Sequence, residues 1–357
     1  MAGSYPDLVS LTWELIEIDS ESKDERAIAD YVEAKFRYQD FFDCTRVGNN
    51  VVLTPKDFDF KTGIVIAGHL DTVPRSKGMV NRRDVDTLVG LGAVDMKGGI
   101  GVMLALAMSR VLGKNVKFVF YACEEISREF SGLLELERSD PTLLQASGAI
   151  LMEPTGGAIE VGCQGTARFK VQIAGRRAHS ARPWIGSNAI HNASKFLSYI
   201  SDIAVNKIIV EGCEYNESLS AVFISGGIAG NVIPDLVEII VNFRFAPGRD
   251  DHEVLRDTSR RLEICLDLQR GDRVELIEWA PSAPPNLSNQ MIANLGLKSN
   301  RAVRSKLGWT DVAFFWERNI AACNFGPGDP NLAHTSDEIV TRNELDEVWS
   351  VITAALT

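Results

Sequence analysis

His69 and Asp71, in Gly-His69-Leu-Asp71-Thr-Val-Pro, follow directly on the apolar run Ile64-Val-Ile-Ala, so an imidazole and a carboxylate stand at the mouth of a predicted buried strand. Three further apolar runs end in the same manner. Val116 to Phe120 leads into Tyr-Ala-Cys-Glu124-Glu125, Ala149 to Met152 into Glu153-Pro, and Ile320 to Asn324 into a Gly-Pro-Gly loop followed by His334. Asp95, in Gly-Ala-Val-Asp95-Met-Lys-Gly-Gly, adds a carboxylate at the start of a predicted helix. Ligands of open α/β sheets bind beyond the carboxyl ends of the strands, so groups distant in sequence can converge there. A set of His, Asp and Glu without thiolates suits zinc, manganese or a similar divalent ion, with zinc best matched to imidazole and carboxylate. Asp95 can bridge two ions, His69 and Glu153 holding one while Glu125 and His334 hold the other.

Glu124 and Glu125 are adjacent, and on an extended backbone they point to opposite sides. One can ligate while the other faces the attacking water as general base and later returns the proton to the leaving amine. Asp71, two residues after His69, points to the same side of an extended backbone and can accept the other imidazole N–H. The competing reading of Asp71 is a turn-forming residue ahead of Thr-Val-Pro. The glycines around Asp95 suggest a phosphate loop, but the Gly-Lys-Ser/Thr that such a loop needs is missing.

These side chains need a scaffold of strands and helices. Leu8, Leu11, Leu15 and Ile16 form one helical stripe, and Ala27 to Phe36 and Ile100 to Leu112 read as further helices between the strands. Such alternation predicts an α/β fold with a mostly parallel sheet and helices on both faces. The texture changes near residue 165. An alternating strand from Arg168, a helix around Ala189 to Ile200, strands at about 218–226 and 236–245, a helix at about 251–268 and a strand from Val274 to Ala280 give the β-α-β-β-α-β order of a ferredoxin-like unit. The Pro-rich Ala280-Pro-Ser-Ala-Pro-Pro reads as a hinge, after which the first texture resumes and Thr341-Arg-Asn-Glu344 predicts a capping box for a last helix. The expected organisation is a catalytic domain made of 1–164 and 281–357, with an α+β domain inserted at 165–280.

Composition narrows the function classes. The 357 residues, 24% charged and 45% hydrophobic, are ordinary for a globular enzyme. The net charge of −11 disfavours nucleic acid as a partner. No apolar run has a membrane-spanning length, and Met-Ala-Gly-Ser-Tyr-Pro-Asp lacks a leader pattern, so no membrane partner and a cytoplasmic location are expected. The six cysteines form no Cys-x-x-Cys pair and read as reduced thiols. Against the acidic whole, residues 168–182 hold five basic side chains (Arg168, Lys170, Arg176, Arg177, Arg182) and no acid, a local reversal that can attract an anionic substrate.

Taken together, His69-Leu-Asp71-Thr-Val-Pro, the Asp95 segment, Glu124-Glu125, Glu153-Pro and Gly-Pro-Gly-Asp-Pro-Asn-Leu-Ala-His334 resemble the co-catalytic zinc aminoacylase and carboxypeptidase superfamily over the whole chain. Within it, the resemblance is greatest to actinobacterial succinyl-diaminopimelate desuccinylases, with acetylornithine deacetylases as near relatives. The resemblance implies two zinc ions, replaceable by cobalt or manganese, on His69, Asp95, Glu125, Glu153 and His334. It implies catalytic roles for Glu124 as base and for Asp71, a cis peptide after Asp95, and a homodimer formed through the inserted domain. Gly175-Arg-Arg-Ala-His179-Ser is similar to the motif whose histidine reaches a partner subunit's site to stabilise the oxyanion. Gly-Gly-Ile-Ala-Gly-Asn231-Val-Ile-Pro and Asn-Phe-Arg244 resemble segments that contact substrate carboxylates, a role extended here to Arg176 and Arg177. One departure is Phe314, where relatives favour a basic residue. The expected activity is metal-dependent amide hydrolysis of a small anionic N-acyl amino acid, N-succinyl-diaminopimelate, on the way to diaminopimelate and lysine. The alternatives are acetylornithine deacetylation, dipeptide cleavage, or a non-catalytic binding module on the same scaffold.

Overall fold

The computed structural model describes residues 7–357; residues 1–6, part of the stretch read above for a leader, lie outside the described residues. The chain divides into two compact units. One comprises the chain up to Val161 with Asn286–Arg304 and Phe314–Thr357, and the other Gly162–Pro285 with Ser305–Ala313.

The first unit is built on a sheet whose centre is four parallel strands, in the order Val116–Tyr121, Ile64–His69, Gly148–Leu151 and Ala321–Asn324. Antiparallel strands flank this centre: Asn50–Pro55 and then Phe42–Val47 beyond the first, Ile159–Val161 beyond the last. Every residue of Val116–Tyr121 and Gly148–Leu151 is buried, so both faces of the sheet centre are covered, as continuous apolar runs require. Helix Gly98–Ser109 is apolar all round and buried from Gly98 to Ala107, and it packs against helices Leu8–Ile16 and Arg342–Leu356. The last of these starts on the predicted capping box. Thr341 accepts from the Glu344 N–H, and the Glu344 carboxylate accepts from the Thr341 N–H at 2.8 Å.

The register of the parallel strands sets the level of the functional loops. His69 pairs with Tyr121 and Ala67 with Leu151, while the Phe325 N–H donates to Leu151 O, so the four carboxyl ends finish side by side.

In the second unit, an antiparallel sheet runs Asn206–Val210, Cys213–Gly226, Leu236–Phe245, Gly165–Ala174, Arg273–Ala280. Without the extra edge strand Asn206–Val210, this is the ferredoxin-like order, with helices Ala189–Ser201 and Asp251–Glu263 as its two α elements. Val237, Ile239, Val241, Phe243 and Phe245 alternate into a core with Phe196, Val254 and Leu262. The edge strand reaches only as far as Glu217, so the outer edge of residues 218–226 has no strand beside it among the described residues. Val222, Phe223 and Ile224 there are more than half exposed, at 58%, 56% and 52%. The Pro-rich segment read as a hinge is held within this unit, since Cys163 and Ala283 exchange backbone hydrogen bonds and the Trp309 indole donates to Pro281 O.

Candidate active site

At the carboxyl ends of the central strands, the five sequence-derived ligands come together. His69, the last residue of its strand and 1% exposed, directs Nε2 to Asp95 Oδ1 at 3.0 Å, with Glu153 Oε1 at 4.0 Å. The other Asp95 oxygen, Oδ2, lies 3.5 Å from His334 Nε2, which is 2.8 Å from Glu125 Oε1. One carboxylate thus turns its two oxygens toward two separate imidazoles. Ligand atoms of His69, Asp95 and Glu125 all fall within 4.8 Å of one another. Nitrogen and carboxylate oxygen donors at such spacings fit one or two divalent ions of the zinc type.

Each donor is held by a local device. Gly326 fixes Glu153 by close approach, since a Cβ there would stand 2.5 Å from both the Met152 and Glu153 carbonyl oxygens. Asp95 sits in the turn 93–97 and is joined to Met96 by a cis peptide, as the resemblance implies. Cys123 adopts φ 58°, turning the chain so that Glu124 and Glu125 follow, and its thiol donates to the buried Glu25 carboxylate. His334 is likewise in the left-handed region, with φ 62°.

Asp71, fully buried, ties these pieces together. Its Oδ1 accepts the Glu124 N–H at 3.0 Å, and its Oδ2 accepts the Glu125 N–H at 3.1 Å and the Ser22 hydroxyl at 2.8 Å. The nearest acceptor to His69 Nδ1 is the Asp71 backbone carbonyl at 3.0 Å, with the carboxylate Oδ1 at 3.4 Å. Asp71 therefore orients the imidazole chiefly through its main chain, and its side chain clamps the Glu124-Glu125 backbone. The Asp71→Asn variant faces one of those N–H groups with a donor. Its metal affinity is expected to fall about 10- to 100-fold, the usual cost of losing a partner that orients ligands. Competition with a chromogenic chelator measures it, and an unchanged affinity would remove the clamp from the account.

The electrostatics match a cation site. Burial alone would raise the Asp95 carboxyl, but hydrogen bonds from His334 and His69 outweigh it and hold Asp95 well below the usual carboxylate range. Burial opposes a charge on His69, yet its bonds to Asp71 and Asp95 raise it well above an ordinary imidazole. The bonds to Asp95 and Glu125 raise His334 to about 10.

The remaining predicted site residues lie in the second unit. His179 pairs with Val232 in a short antiparallel ladder, Ala178–His179 against Val232–Ile233, which places Asn231 beside it, and the Ser180 N–H donates to Asn231 O. His179 Nδ1 accepts the Ala181 N–H at 3.0 Å, so the neutral ring carries its proton on Nε2 as a donor. Arg244 is half-buried with no acidic partner among the described residues, and burial and the nearby Arg168 lower its pKa. Arg176 is exposed, and its backbone is paired with Ser187. The cationic segment is less cationic than its sequence, because neighbouring chain brings acids to it. Arg168 pairs with Glu278, Lys170 with Glu275, and Arg177 with Asp235. Arg177 is thus committed to an internal ion pair.

Phe314 is buried in the first unit, and the Arg318 guanidinium lies 3.5 Å over its ring. That guanidinium also pairs with Glu137. Sequence reasoning passed over Ser22, Glu25 and Glu338. None lies in a motif, and only their long-range hydrogen bonds mark them.

A putative succinyl-diaminopimelate desuccinylase of Mycobacterium tuberculosis is 44% identical over 336 residues, covering 94% of this chain and 93% of that protein. The succinyl-diaminopimelate desuccinylase of Corynebacterium glutamicum is 38% identical over 353 residues, covering 97% and 95%. Among solved structures, a Staphylococcus aureus tripeptidase superposes with a TM-score of 0.80 at 20% identity, covering 99% of this chain and 98% of that one. A dinuclear metal-binding peptidase of Bacillus subtilis does so with 0.68 at 16% identity, covering 98% and 96%. Residues 65–357 match the pattern of peptidase family M20/M25/M40, and the chain belongs to that family.

Proposed function

We propose that this protein is a dinuclear zinc amidohydrolase that converts N-succinyl-LL-2,6-diaminopimelate and water to succinate and LL-diaminopimelate. The observation that carries the metal part is the Asp95 carboxylate, whose two oxygens face His69 and His334 separately. In this reading, His69, Asp95 and Glu153 hold one ion, and Asp95, Glu125 and His334 the other; cobalt or manganese can replace zinc in the same donor set. Bound there, the ions supply Lewis acidity toward the scissile carbonyl and acidify water near neutral pH. Glu124 takes a proton from the attacking water as its oxygen bonds to the carbonyl carbon. It then delivers that proton to the amide nitrogen as the C–N bond breaks, leaving succinate and a free amine. Asp71 keeps the Glu124-Glu125 backbone in place through the cycle.

The substrate part rests on the two desuccinylase relatives and on Arg244, a half-buried cation without an acidic partner among the described residues. Asn231 and Arg176 join it as carboxylate contacts, while Arg177 contributes only if it exchanges Asp235 for substrate. A homodimer through the second unit fits the exposed apolar strand 222–224 with its uncovered edge. Free cysteines, four of them buried, fit a reducing cytoplasm, and no helix among the described residues is long and apolar enough to cross a membrane.

The test is a zinc-loaded panel of succinyl-diaminopimelate, acetylornithine and dipeptides. Both substrates carry one ammonium, but the succinyl substrate carries three carboxylates and acetylornithine one, so a cationic lining separates them. One charge-assisted hydrogen bond contributes about 1.5–3 kcal/mol, or roughly a ten- to hundredfold preference. Arg244→Ala is expected to lower kcat/KM for the succinyl substrate by that factor with zinc content unchanged. Faster turnover of acetylornithine would overturn the substrate and leave the metal chemistry standing, and no turnover of any member by fully loaded protein would favour the binding-module reading.

A further inference from the structure

The geometry points to Glu338 as the positioning residue that sets the Asp95 turn against the segment carrying His334. Glu338 is 1% exposed, and one of its oxygens, Oε2, accepts both the Val94 N–H at 3.0 Å and the Asp95 N–H at 3.2 Å. Within the turn, Ala93 and Lys97 donate to the backbone carbonyls of Gly90 and Gly92, which leaves the Val94 and Asp95 N–H groups to this carboxylate. Buried N–H groups must find acceptors, so the turn takes its shape around Glu338. The main chain of Glu338 is fixed too, for its carbonyl accepts the Gly90 N–H and the next residues, Ile339–Thr341, pair antiparallel with Thr87–Val89.

Glu338 lies four residues after His334, on the same segment. One side chain therefore connects two donors that the chain brings in from different directions, and the span from Asp95 Oδ2 to His334 Nε2 depends on it. Glu338 is not one of the five residues assigned to the ions. It acts through Asp95, and its reach matters more than its charge, because what it provides is an acceptor at a fixed distance. The inference rests on the metal reading of the site.

Two conservative variants separate reach from charge. Glu338→Gln keeps the length and an acceptor oxygen. Glu338→Asp keeps the charge and withdraws the acceptor by one C–C bond, about 1.5 Å. Zinc affinity is read by chelator competition, the coordination geometry by the visible spectrum of the cobalt-substituted protein, and folding by the melting of the metal-free forms. Glu338→Asp is expected to lose about tenfold or more in zinc affinity, the scale set by partners that orient ligands, with a changed cobalt spectrum and metal-free melting close to wild type. Glu338→Gln should stay within about threefold of wild type, a small fraction of that range. The inference is overturned if Glu338→Asp keeps wild-type affinity and spectrum, if Glu338→Gln is as weak as Glu338→Asp, or if affinity falls only with the folded fraction. A wild-type protein that binds no divalent ion would sink the metal reading itself, a result distinct from any of these.

Discussion

Glu124→Gln is expected to bind its full complement of divalent ions and to turn over 10²- to 10⁴-fold more slowly, the range for loss of a general base. The Glu125 carboxylate lies on His334, and the Glu124 backbone stays fixed because its N–H donates to Asp71. An amide at 124 preserves size and backbone but cannot take up and return a proton. Glu125→Gln should behave in the opposite order, losing metal first, since one of the donors beside His334 is weakened. Metal analysis beside steady-state kinetics on the two variants separates the roles. A fully loaded Glu124→Gln protein with near-normal kcat would remove Glu124 from proton transfer, and loss of metal from it would make it a ligand.

His179→Ala is expected to cost roughly 10²- to 10³-fold in kcat, the scale for one donor aimed at a developing oxyanion. The Ala181 N–H occupies Nδ1, which leaves Nε2 as the donor of the neutral ring. If His179 serves the partner subunit's site, two inactive variants complement each other. Mixed with Glu124→Gln under subunit exchange, His179→Ala should restore about a quarter of wild-type activity, because half of the dimers are mixed and each has one intact site. Heterodimers shown to form without regained activity would place His179 in its own subunit's site or outside catalysis.

Much of the site was legible in the chain because parallel strands buried on both faces are continuous apolar runs, and their carboxyl ends could be read directly. His69, Glu125 and Glu153 each follow such a run, and their convergence required only that the strands be neighbours. The ferredoxin-like order of the second unit came from period-2 alternation and two helical stripes, both local signals. The cationic loop is the complementary case. Residues 168–182 contain no acid, but Glu275 and Glu278 arrive on an adjacent strand and Asp235 from another part of the chain, so the local charge count did not describe the local field.

The amino-acid sequence by itself determined the donor types, the strand ends that carry them, the cap of the last helix and the family to which the chain belongs. Tertiary structure alone decided which donor faces which: Asp95 between two imidazoles, Glu125 against a histidine 209 residues away, Asp71 clamped on two backbone N–H groups, Arg177 spent on Asp235 and Glu338 under the Asp95 turn. The physical reason is that periodicity and turn chemistry report what each segment must bury and where it must bend, whereas a hydrogen bond between distant segments depends on sheet register and loop path, which leave no mark on the residues nearby.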